Sequence, residues 1–314
     1  MSRYIIRRLM QMLVVLLLAS VGIFLIVHIL PGDAALVYAG PNATDDVVAA
    51  VRHTMGLDQS LPVQYIVWFG HVMRGDLGKS YVNGFTVTRL LLQRLPVTLE
   101  LALASILISL VIAVPTGILA AIKQGSVFDY FVTGLNGLGL AIPPFWFGLI
   151  LILVVALGFH WLPASGYADP SKDLGGALKH LILPTVTLSF QVAAILSRFM
   201  KSVTLDVLQE DYVRTARAKG VRERQVQIRH VLANSMVTFV TILGLQFGRL
   251  LGGVVIIESV FAWPGIGRLL LDAIGNRDYL VIQGGLLFFV LLFMIINLVT
   301  DLMYALLDPR VRLT

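Results

Sequence analysis

Apolar residues dominate six stretches of the chain, and each stretch is long enough to cross a membrane as a helix. A bilayer core about 30 Å thick needs about 20 consecutive, mostly apolar residues in a helix. Arg7 and Arg8 before the first stretch would also suit a signal peptide, but the apolar run is longer than such peptides carry, so we expect a retained span. The predicted fold class is an all-α, polytopic membrane protein. Its spans are expected at roughly Leu9–Leu30, Val97–Ile122, Val132–Gly158, Leu181–Met200, Met236–Phe261 and Leu280–Leu307.

The composition agrees with this pattern. The chain has 314 residues, of which 57% are hydrophobic and 13% charged, whereas a soluble domain carries about 25% charged residues. This balance excludes an ordinary soluble enzyme and a disordered chain, and the absence of cysteine excludes a disulfide scaffold. The net charge of +6 would suit nucleic acid, but in a membrane protein the positions of the basic residues set orientation. No nucleic-acid partner is expected.

The positions of lysine and arginine predict the orientation. Fourteen of them fall in the N-terminal tail, at Lys123, between Arg198 and Arg229, and at Arg310 and Arg312. The short loops on the other side hold four. Because retained bases accumulate on the cytoplasmic side, both termini are predicted to be cytoplasmic.

The spans divide the chain into four predicted regions. These are a tail with the first span (1–30), an external helical segment (31–94), a membrane domain (95–307) with a cytoplasmic loop (202–235), and a tail (308–314). In the external segment, one helix is predicted from Thr44-Asp45-Asp46 to Gly56 and another after Ser60-Leu61-Pro62. This segment could cap the spans or contact a substrate or receptor, and the sequence leaves both open.

The segment from Met73 to Ser80 nearly spells a phosphate-binding loop. A true loop of this kind needs glycine five residues before Gly78, and that position is Met73. No apolar strand precedes it, and the predicted topology places it outside. We therefore predict no nucleotide site in this chain. The six histidines show no ligand spacing, so no metal site is predicted either.

The cytoplasmic loop 202–235 holds six of the 24 basic residues, and Arg198 and Lys201 lie just before it. Asp211 is predicted to cap a short helix that ends at Lys219, with Gly220 in the left-handed position after it. A helix of about eight residues is marginal in water without a partner. The residues alone leave two interpretations open: a surface that docks on another protein, and a solvated basic loop that binds anionic headgroups.

Several motifs give the chain a recognisable family pattern. The segment Asp211-Tyr-Val-Arg-Thr-Ala-Arg-Ala-Lys-Gly220, followed by Arg229-His-Val-Leu-Ala-Asn234, resembles the coupling-loop signature of ATP-binding-cassette importer permeases of the dipeptide, oligopeptide and nickel family. The resemblance runs nearly end to end. Further matching segments are Gly56-Leu-Asp-Gln59, Leu61-Pro-Val-Gln-Tyr65, Gly75-Asp-Leu-Gly78 with Ser80, Leu95-Pro-Val-Thr-Leu-Glu100 and Glu258-Ser-Val-Phe-Ala-Trp-Pro-Gly-Ile-Gly267.

One departure concerns the general coupling motif, which begins Glu-Ala-Ala and ends Ile-x-Leu-Pro. Here Arg214-Thr215-Ala216 stand first, Gly220 is kept, and His230-Val-Leu-Ala233 closes the motif. The motif's glutamate and proline are absent, so no contact can rest on that glutamate.

The resemblance implies a transport subunit without enzymatic activity in a bacterial or archaeal cytoplasmic membrane. The implied partners are a second homologous permease, two ATP-binding subunits that carry ATP and Mg²⁺, and an extracytoplasmic solute-binding protein. Short peptides are the implied substrates, with nickel chelates, glutathione and opine-like solutes as alternatives. The residues expected to couple to the ATPase are Asp211, Tyr212, Arg214, Thr215, Ala216, Ala218, Lys219 and Gly220.

Polar and small residues inside the spans form a second set of candidates. Arg249 falls near the middle of the fifth span, where a charge is expensive and usually faces a bundle interior or water. It could line a passage or form an intramembrane ion pair, and Glu258 and Asp301 are weaker candidates of the same kind. Gly244, Gly248 and Gly252 form a small-residue face that predicts close helix packing. Pro143-Pro144 is predicted to interrupt the third span.

Two other classes of protein compete with a permease subunit. A self-contained secondary transporter or channel would suit Arg249 and the broken helices, but no inverted repeat is visible. A membrane-embedded enzyme would need a His-Glu-x-x-His pair or a Gly-x-Ser-x-Gly elbow, and the sequence has neither.

Overall fold

The described part of the chain is mostly helical. A computed structural model describes residues 2–29, 33–40 and 42–307, and the predicted tail 308–314 lies outside them. Two π-helical turns, Ile152–Gly158 and Val226–Leu232, directly follow the α-helices that end at Leu151 and Gln225. The α-helices are α1 (Ser2–Ile29), α2 (Ala34–Ala39), α3 (Asp45–Thr54), α4 (Leu61–Met73), α5 (Val87–Ile122), α6 (Val127–Ala141), α7 (Pro144–Leu151), α8 (Leu174–Gln209), α9 (Asp211–Ala218), α10 (Glu223–Gln225), α11 (Ala233–Val260), α12 (Ile266–Gly275) and α13 (Tyr279–Leu307).

Five of the six predicted spans correspond to single apolar helices of membrane length, and the third corresponds to two helices joined at a sharp bend. The single helices have their apolar stretches in α1, α5, α8, α11 and α13. The third span is the pair α6 and α7 with its π-helical extension, bent by 103°. The predicted interruption at Pro143-Pro144 is confirmed. The chain is extended at Ile142 and Pro143, because a proline disfavours helical backbone at the residue before it.

The second span begins earlier than predicted. Helix α5 starts at Val87 and continues through Pro96, so the boundary expected at residues 94 and 95 falls inside a helix. A proline is tolerated within a span when neighbouring groups re-satisfy the backbone. Two long-range bonds fix this region: Arg94 Nη1 donates to the Pro264 carbonyl at 2.9 Å, and Thr98 Oγ1 accepts from the Ile266 amide at 2.8 Å.

One compact unit comprises residues 1–98 and 264–295. Its apolar core includes Val27, Val87 and Leu91, which are at most 1% exposed. The two helices predicted in its external segment are confirmed as α3 and α4, and Gly56 takes the left-handed conformation (φ +68°) that ends α3. The segment from Met73 to Ser80, which resembles a phosphate-binding loop in sequence, is held by a hydrogen bond at its end. The Ser80 hydroxyl donates to the buried carboxylate of Asp278.

In the described residues, the second unit comprises 99–263 and 296–307. Its central element is α8, against which α6, α7 and α11 pack. Small residues allow this close approach: a Cβ added at Gly139 would lie 2.7 Å from the Cβ of Ala194 on α8. Polar groups also join the helices, since Thr116 and Asn136 both contact the Ser197 hydroxyl, at 3.0 and 3.2 Å.

A buried ion pair closes one end of this helix packing. The Lys201 ammonium of α8 donates to the carboxylate of Asp129 on α6, whose side chain is 7% exposed. Asp129 Oδ2 also accepts from the Gly125 amide at 3.1 Å. The charge on Asp129 is therefore compensated by a cation and by a backbone donor, as a buried carboxylate requires.

Candidate functional site

The first candidate site is the short helix α9 and the turn that follows it. Helix α9 begins at Asp211 because the backbone of Glu210 is extended (ψ 142°). The prediction that Asp211 caps the helix is wrong: Glu210 occupies the cap position without a side-chain bond, and Asp211 lies inside the first turn, 3.7 Å from Arg214 Nη1. The prediction for Gly220 is confirmed, with φ +74° and a bond from its amide to the Arg217 carbonyl at 3.0 Å.

A small apolar core packs against the buried face of α9. Val213, Val226 and Val231 are fully buried and Ala216 is 8% exposed, with Val207, Leu208 and Val221 packed around them. Val213 and Ala216 are three residues apart, so they face the same side of the helix. Tertiary packing of this kind stabilises a helix too short to form alone. The helix is therefore a folded element of this chain before any partner binds.

An ion pair bridges the turn at Gly220. The Arg217 guanidinium donates to both oxygens of Glu223, with Nη2–Oε1 at 2.8 Å and Nε–Oε2 at 3.1 Å. The hydrogen bond from Arg217 lowers the pKa of the Glu223 carboxyl. Such two-point contacts fix orientation as well as distance, so α9 is held at a defined angle to α10.

Seven of the eight residues expected to face an ATPase are exposed. Ala216 is the exception, because it packs into the core beneath α9. The sequence could have indicated this, since Val213 and Ala216 show helical spacing. Partial burial raises the pKa of the Tyr212 hydroxyl above its ordinary value of 10, and the side chain is a neutral phenol at neutral pH. The exposed residues are Asp211, Tyr212, Arg214, Thr215, Ala218, Lys219 and Gly220.

The loop connects to the fifth span without a break in the helix. Residues Glu223 to Val260 are continuously helical, but the segment Val226–Leu232 is a π-helical turn. Turns of this kind inside α-helices occur frequently at functional sites. The π turn therefore lies between the exposed helix α9 and the membrane-spanning part of α11.

The second candidate site is a stripe of exposed residues along α11. Leu245, Arg249, Gly252, Ile256 and Ser259 are all exposed, and they follow the spacing of four and three residues that defines one helix face. We call this set the α11 stripe. No hydrogen bond or ion pair joins the Arg249 guanidinium to another described residue. Since a charged side chain is costly in hydrocarbon, this face requires water or another protein chain.

The remaining intramembrane candidates differ in their surroundings. Glu258 is fully buried in α11, and Asp301 on α13 is half-buried. Gly244 packs directly on α13, because a Cβ added there would overlap Thr300. Gly248 is buried, whereas Gly252 is exposed and a Cβ added there would meet no atom of another element within 4 Å. Within this chain, Gly252 does not take part in helix packing.

Sequence reasoning missed two buried polar pairs. One is Lys201 with Asp129, and the other is Ser80 with Asp278. The partners are 72 and 198 residues apart, so no local pattern joins them. The only signal was a charged residue, Asp129, at the start of an apolar stretch.

In its described residues the chain is all-α, with five helices of membrane length and one sharply bent pair, and this defines the class of multi-pass membrane proteins. Comparison with protein families identifies the family. Residues 113–313 match the model "Binding-protein-dependent transport system inner membrane component", and residues 1–102 match the N-terminal model of the same kind of component. The chain belongs to this family.

Similar proteins match over the full length. The chain is 42% identical over 312 residues to "Probable peptide ABC transporter permease protein y4tP" of Sinorhizobium fredii, covering 99% of this chain and 100% of that one. It is 43% identical over 312 residues to "Glutathione transport system permease protein GsiC" of Salmonella typhimurium, covering 99% of each. A solved structure described as an amino acid ABC transporter with histidines matches at 15% identity and a TM-score of 0.48, covering 71% of this chain and 95% of the other.

Family membership establishes the general role. The chain is a permease subunit of an ATP-driven transport system and has no enzymatic activity of its own. It is an inner-membrane protein and works with an ATPase and a substrate-binding component.

Proposed function

We propose that this chain is one of two permease subunits of an importer for short peptides and forms half of the passage. The observation that carries this proposal is the end-to-end similarity to permeases named for peptide and for glutathione transport. Glutathione is itself a tripeptide, so both names point to the same chemical class. Glutathione is accordingly the second candidate substrate.

The exposed side of α9 is the surface that would meet the ATPase. Its helix is folded on its own core, its angle is fixed by Arg217 and Glu223, and its outer residues are free of contacts with that core. A rigid, exposed helix can transmit a movement of the ATPase to the membrane helices better than a flexible loop can. In the complex we propose, this chain pairs with a distinct second permease, two ATPase subunits bind ATP and Mg²⁺, and an extracytoplasmic protein delivers the solute.

The α11 stripe is the surface that would line the passage. Arg249 lies in its middle and has an unpartnered guanidinium among the described residues. The stripe continues the same helix that leaves the coupling loop. With both termini and α9 on the cytoplasmic side, movement of the loop would act directly on this face.

Uptake into vesicles tests the proposal. The complete complex is reconstituted with ATP on the side of the ATPase, and the binding protein is added with radiolabelled dialanine. ATP-dependent uptake of dialanine supports a peptide importer. Uptake of glutathione without dialanine would restrict the substrate to the second candidate. Uptake of a nickel–histidine chelate alone would overturn the peptide assignment.

A further inference from the structure

A cavity of about 930 Å³ lies inside the unit formed by residues 1–98 and 264–295. Its walls come from α1, α3, α4, the loop before α5 and the first turns of α13. The volume falls within the range of small-ligand sites, roughly 300–1,000 Å³. Under the topology proposed above, the cavity is on the outer side of the membrane, where a solute arrives.

One part of the wall is aromatic and firmly packed. Phe24, Trp68 and Tyr279 line the cavity and are at most 9% exposed. The ring of Phe24 lies 6.0 Å from that of Trp68 and 4.2 Å from that of His28. Leu57 and Leu77 extend the apolar surface. This wall suits an apolar side chain.

Several polar groups in the wall are already used within the protein. The two ring nitrogens of His28 contact the Phe24 carbonyl at 2.8 Å and Gln64 Oε1 at 3.0 Å. The Gln64 amide nitrogen donates in turn to the carbonyls of Leu57 and Gln59. These groups shape the cavity but have little capacity left for a ligand.

Two other polar groups have no such partner. Gln283 lines the cavity and is 3% exposed, yet its amide forms no hydrogen bond with any described residue. The indole N–H of Trp68 also lacks an acceptor in the described part of the chain. The indole nitrogen has almost no accessible surface, so the polar group open to a ligand is the Gln283 amide, which can both donate and accept a hydrogen bond.

Charge does not dominate the cavity. His53 and His71 lie against the carboxylates of Asp58 and Asp76, at 2.6 and 3.4 Å, so the acidic groups near the rim have basic neighbours. Lys79 at the rim is exposed to solvent. The cavity therefore presents apolar surface and neutral amide chemistry.

We propose that this cavity binds an apolar peptide segment, with a hydrophobic side chain against Phe24 and Trp68 and a peptide group hydrogen-bonded to Gln283. The proposal rests on the proposed function for the side of the membrane on which the cavity lies. A lipid acyl chain would fit the apolar wall but would leave the Gln283 amide unpaired. The occupant is a free peptide, since the volume of about 930 Å³ matches a small-ligand site; a loop of the substrate-binding protein is the competing outcome of the test.

Binding of a neutral probe tests the site. The complete transporter in lipid nanodiscs is titrated with acetyl-phenylalanyl-leucinamide by calorimetry. Val67→Trp fills the cavity from α4 and is expected to weaken binding at least about tenfold. Ile66→Trp is the matched control, because Ile66 is exposed on the same helix and does not line the cavity. Gln283→Leu should weaken binding while keeping the volume. Equal binding in all four proteins would overturn the proposal, as would release of a bound lipid by Val67→Trp.

A second measurement separates the two sources of the segment. A photo-crosslinking benzoylphenylalanine at position 67 is illuminated with the binding protein present, first without the probe and then with an excess of it. A crosslink that the probe competes away assigns the cavity to a loop of that protein, and a crosslink to added peptide alone assigns it to free peptide. Dialanine uptake is measured in parallel. If the wild-type transporter takes up dialanine but does not bind the probe, only the cavity proposal is rejected. If it binds the probe but takes up no peptide, the proposed substrate is rejected.

Discussion

Arg217 and Glu223 form a two-point ion pair across the glycine turn that ends α9, with contacts of 2.8 and 3.1 Å. Both side chains are partly exposed, at 41% and 51%. Exposed pairs contribute about 0.2–1 kcal/mol to stability, so the importance of this pair is geometric.

Replacing Glu223 by glutamine is expected to leave the chain folded but to lower the solute imported per ATP hydrolysed, because α9 loses its fixed angle. The measurement is the ratio of uptake to ATP hydrolysis in vesicles. Glu210→Gln is the control, since Glu210 is exposed in the same loop and makes no capping bond. An unchanged ratio for Glu223→Gln would show that the pair does not orient α9.

The same pair sets a pH limit. Arg217 lowers the pKa of Glu223 below its ordinary value of 4.5, so the folded loop favours the ionised carboxylate. Its contribution is present above pH 4.5 and is lost as the pH falls through the lower, folded value. The uptake ratio should therefore not change through this pair between pH 7 and pH 5.

Gly220→Val is expected to uncouple transport. The position has φ +74°, and a Cβ added there would meet no atom within 4 Å, so the added side chain begins without a clash. The left-handed conformation costs a residue with a Cβ about 1–2 kcal/mol, which the turn can avoid only by changing shape. Gly75→Val carries the same strain (φ +79°) in the external segment. Uptake in vesicles should fall for the first variant and persist for the second.

Breaking the ion pair of Lys201 and Asp129 should destabilise the second unit. Either Lys201→Met or Asp129→Asn removes the counter-charge of its partner, and such losses cost about 3–5 kcal/mol for fully buried pairs. The cost here should be smaller, because the Lys201 side chain is 23% exposed and Asp129 keeps its bond from Gly125. The double variant should be less destabilised than the two single effects combined. Thermal unfolding in detergent measures all three. Strict additivity would show that the two side chains do not depend on each other.

Ser80→Ala should loosen the loop that resembles a phosphate-binding site. Its bond to the Asp278 carboxylate is buried, and bonds to charged groups contribute about 1.5–3 kcal/mol. Ser171→Ala is the control, since its bond to Asp169 is exposed. Proteolysis near residue 80 should accelerate only in the first variant. ATP should protect neither protein, and protection of the wild type by ATP would contradict the structural role.

The α11 stripe can be tested by cysteine labelling, since the chain contains no cysteine. Single cysteines at Leu245, Arg249 and Ile256 should react with a membrane-impermeant thiol reagent when the complex is open. Cysteines at Leu251 and Val254, which are fully buried, should not react. Reaction of the stripe only with a lipid-soluble reagent would place this face against lipid.

Local signals predicted much of the fold. Six apolar stretches predicted the spans, and glycines 56 and 220 predicted two helix ends, because each depends on a few adjacent residues. Helix α5 begins at Val87, ahead of the predicted start at Val97, and the bonds of Arg94 and Thr98 to a distant segment fix this part of the helix. The interruption at Pro143 was predicted, but its 103° angle depends on packing that no local pattern contains.

The candidate site was predicted in outline. Helix periodicity placed α9 correctly, but the inward side of Ala216 follows from its core with Val213 and Val226. The cap at Asp211 was assigned one residue too late. The pairing of Arg217 with Glu223 depends on the turn geometry at Gly220, which sets the distance between two charges that are otherwise only close in sequence.

The π turn at Val226–Leu232 has a mechanical consequence. A π turn accommodates about one residue more than an α turn, and one residue of α-helix corresponds to a rotation of about 100°. If this turn rewound as α-helix, α11 would rotate about its own axis while remaining a continuous helix. A displacement at the cytoplasmic end would then become a screw motion within the membrane, and Arg249 would point toward a different neighbour in each state.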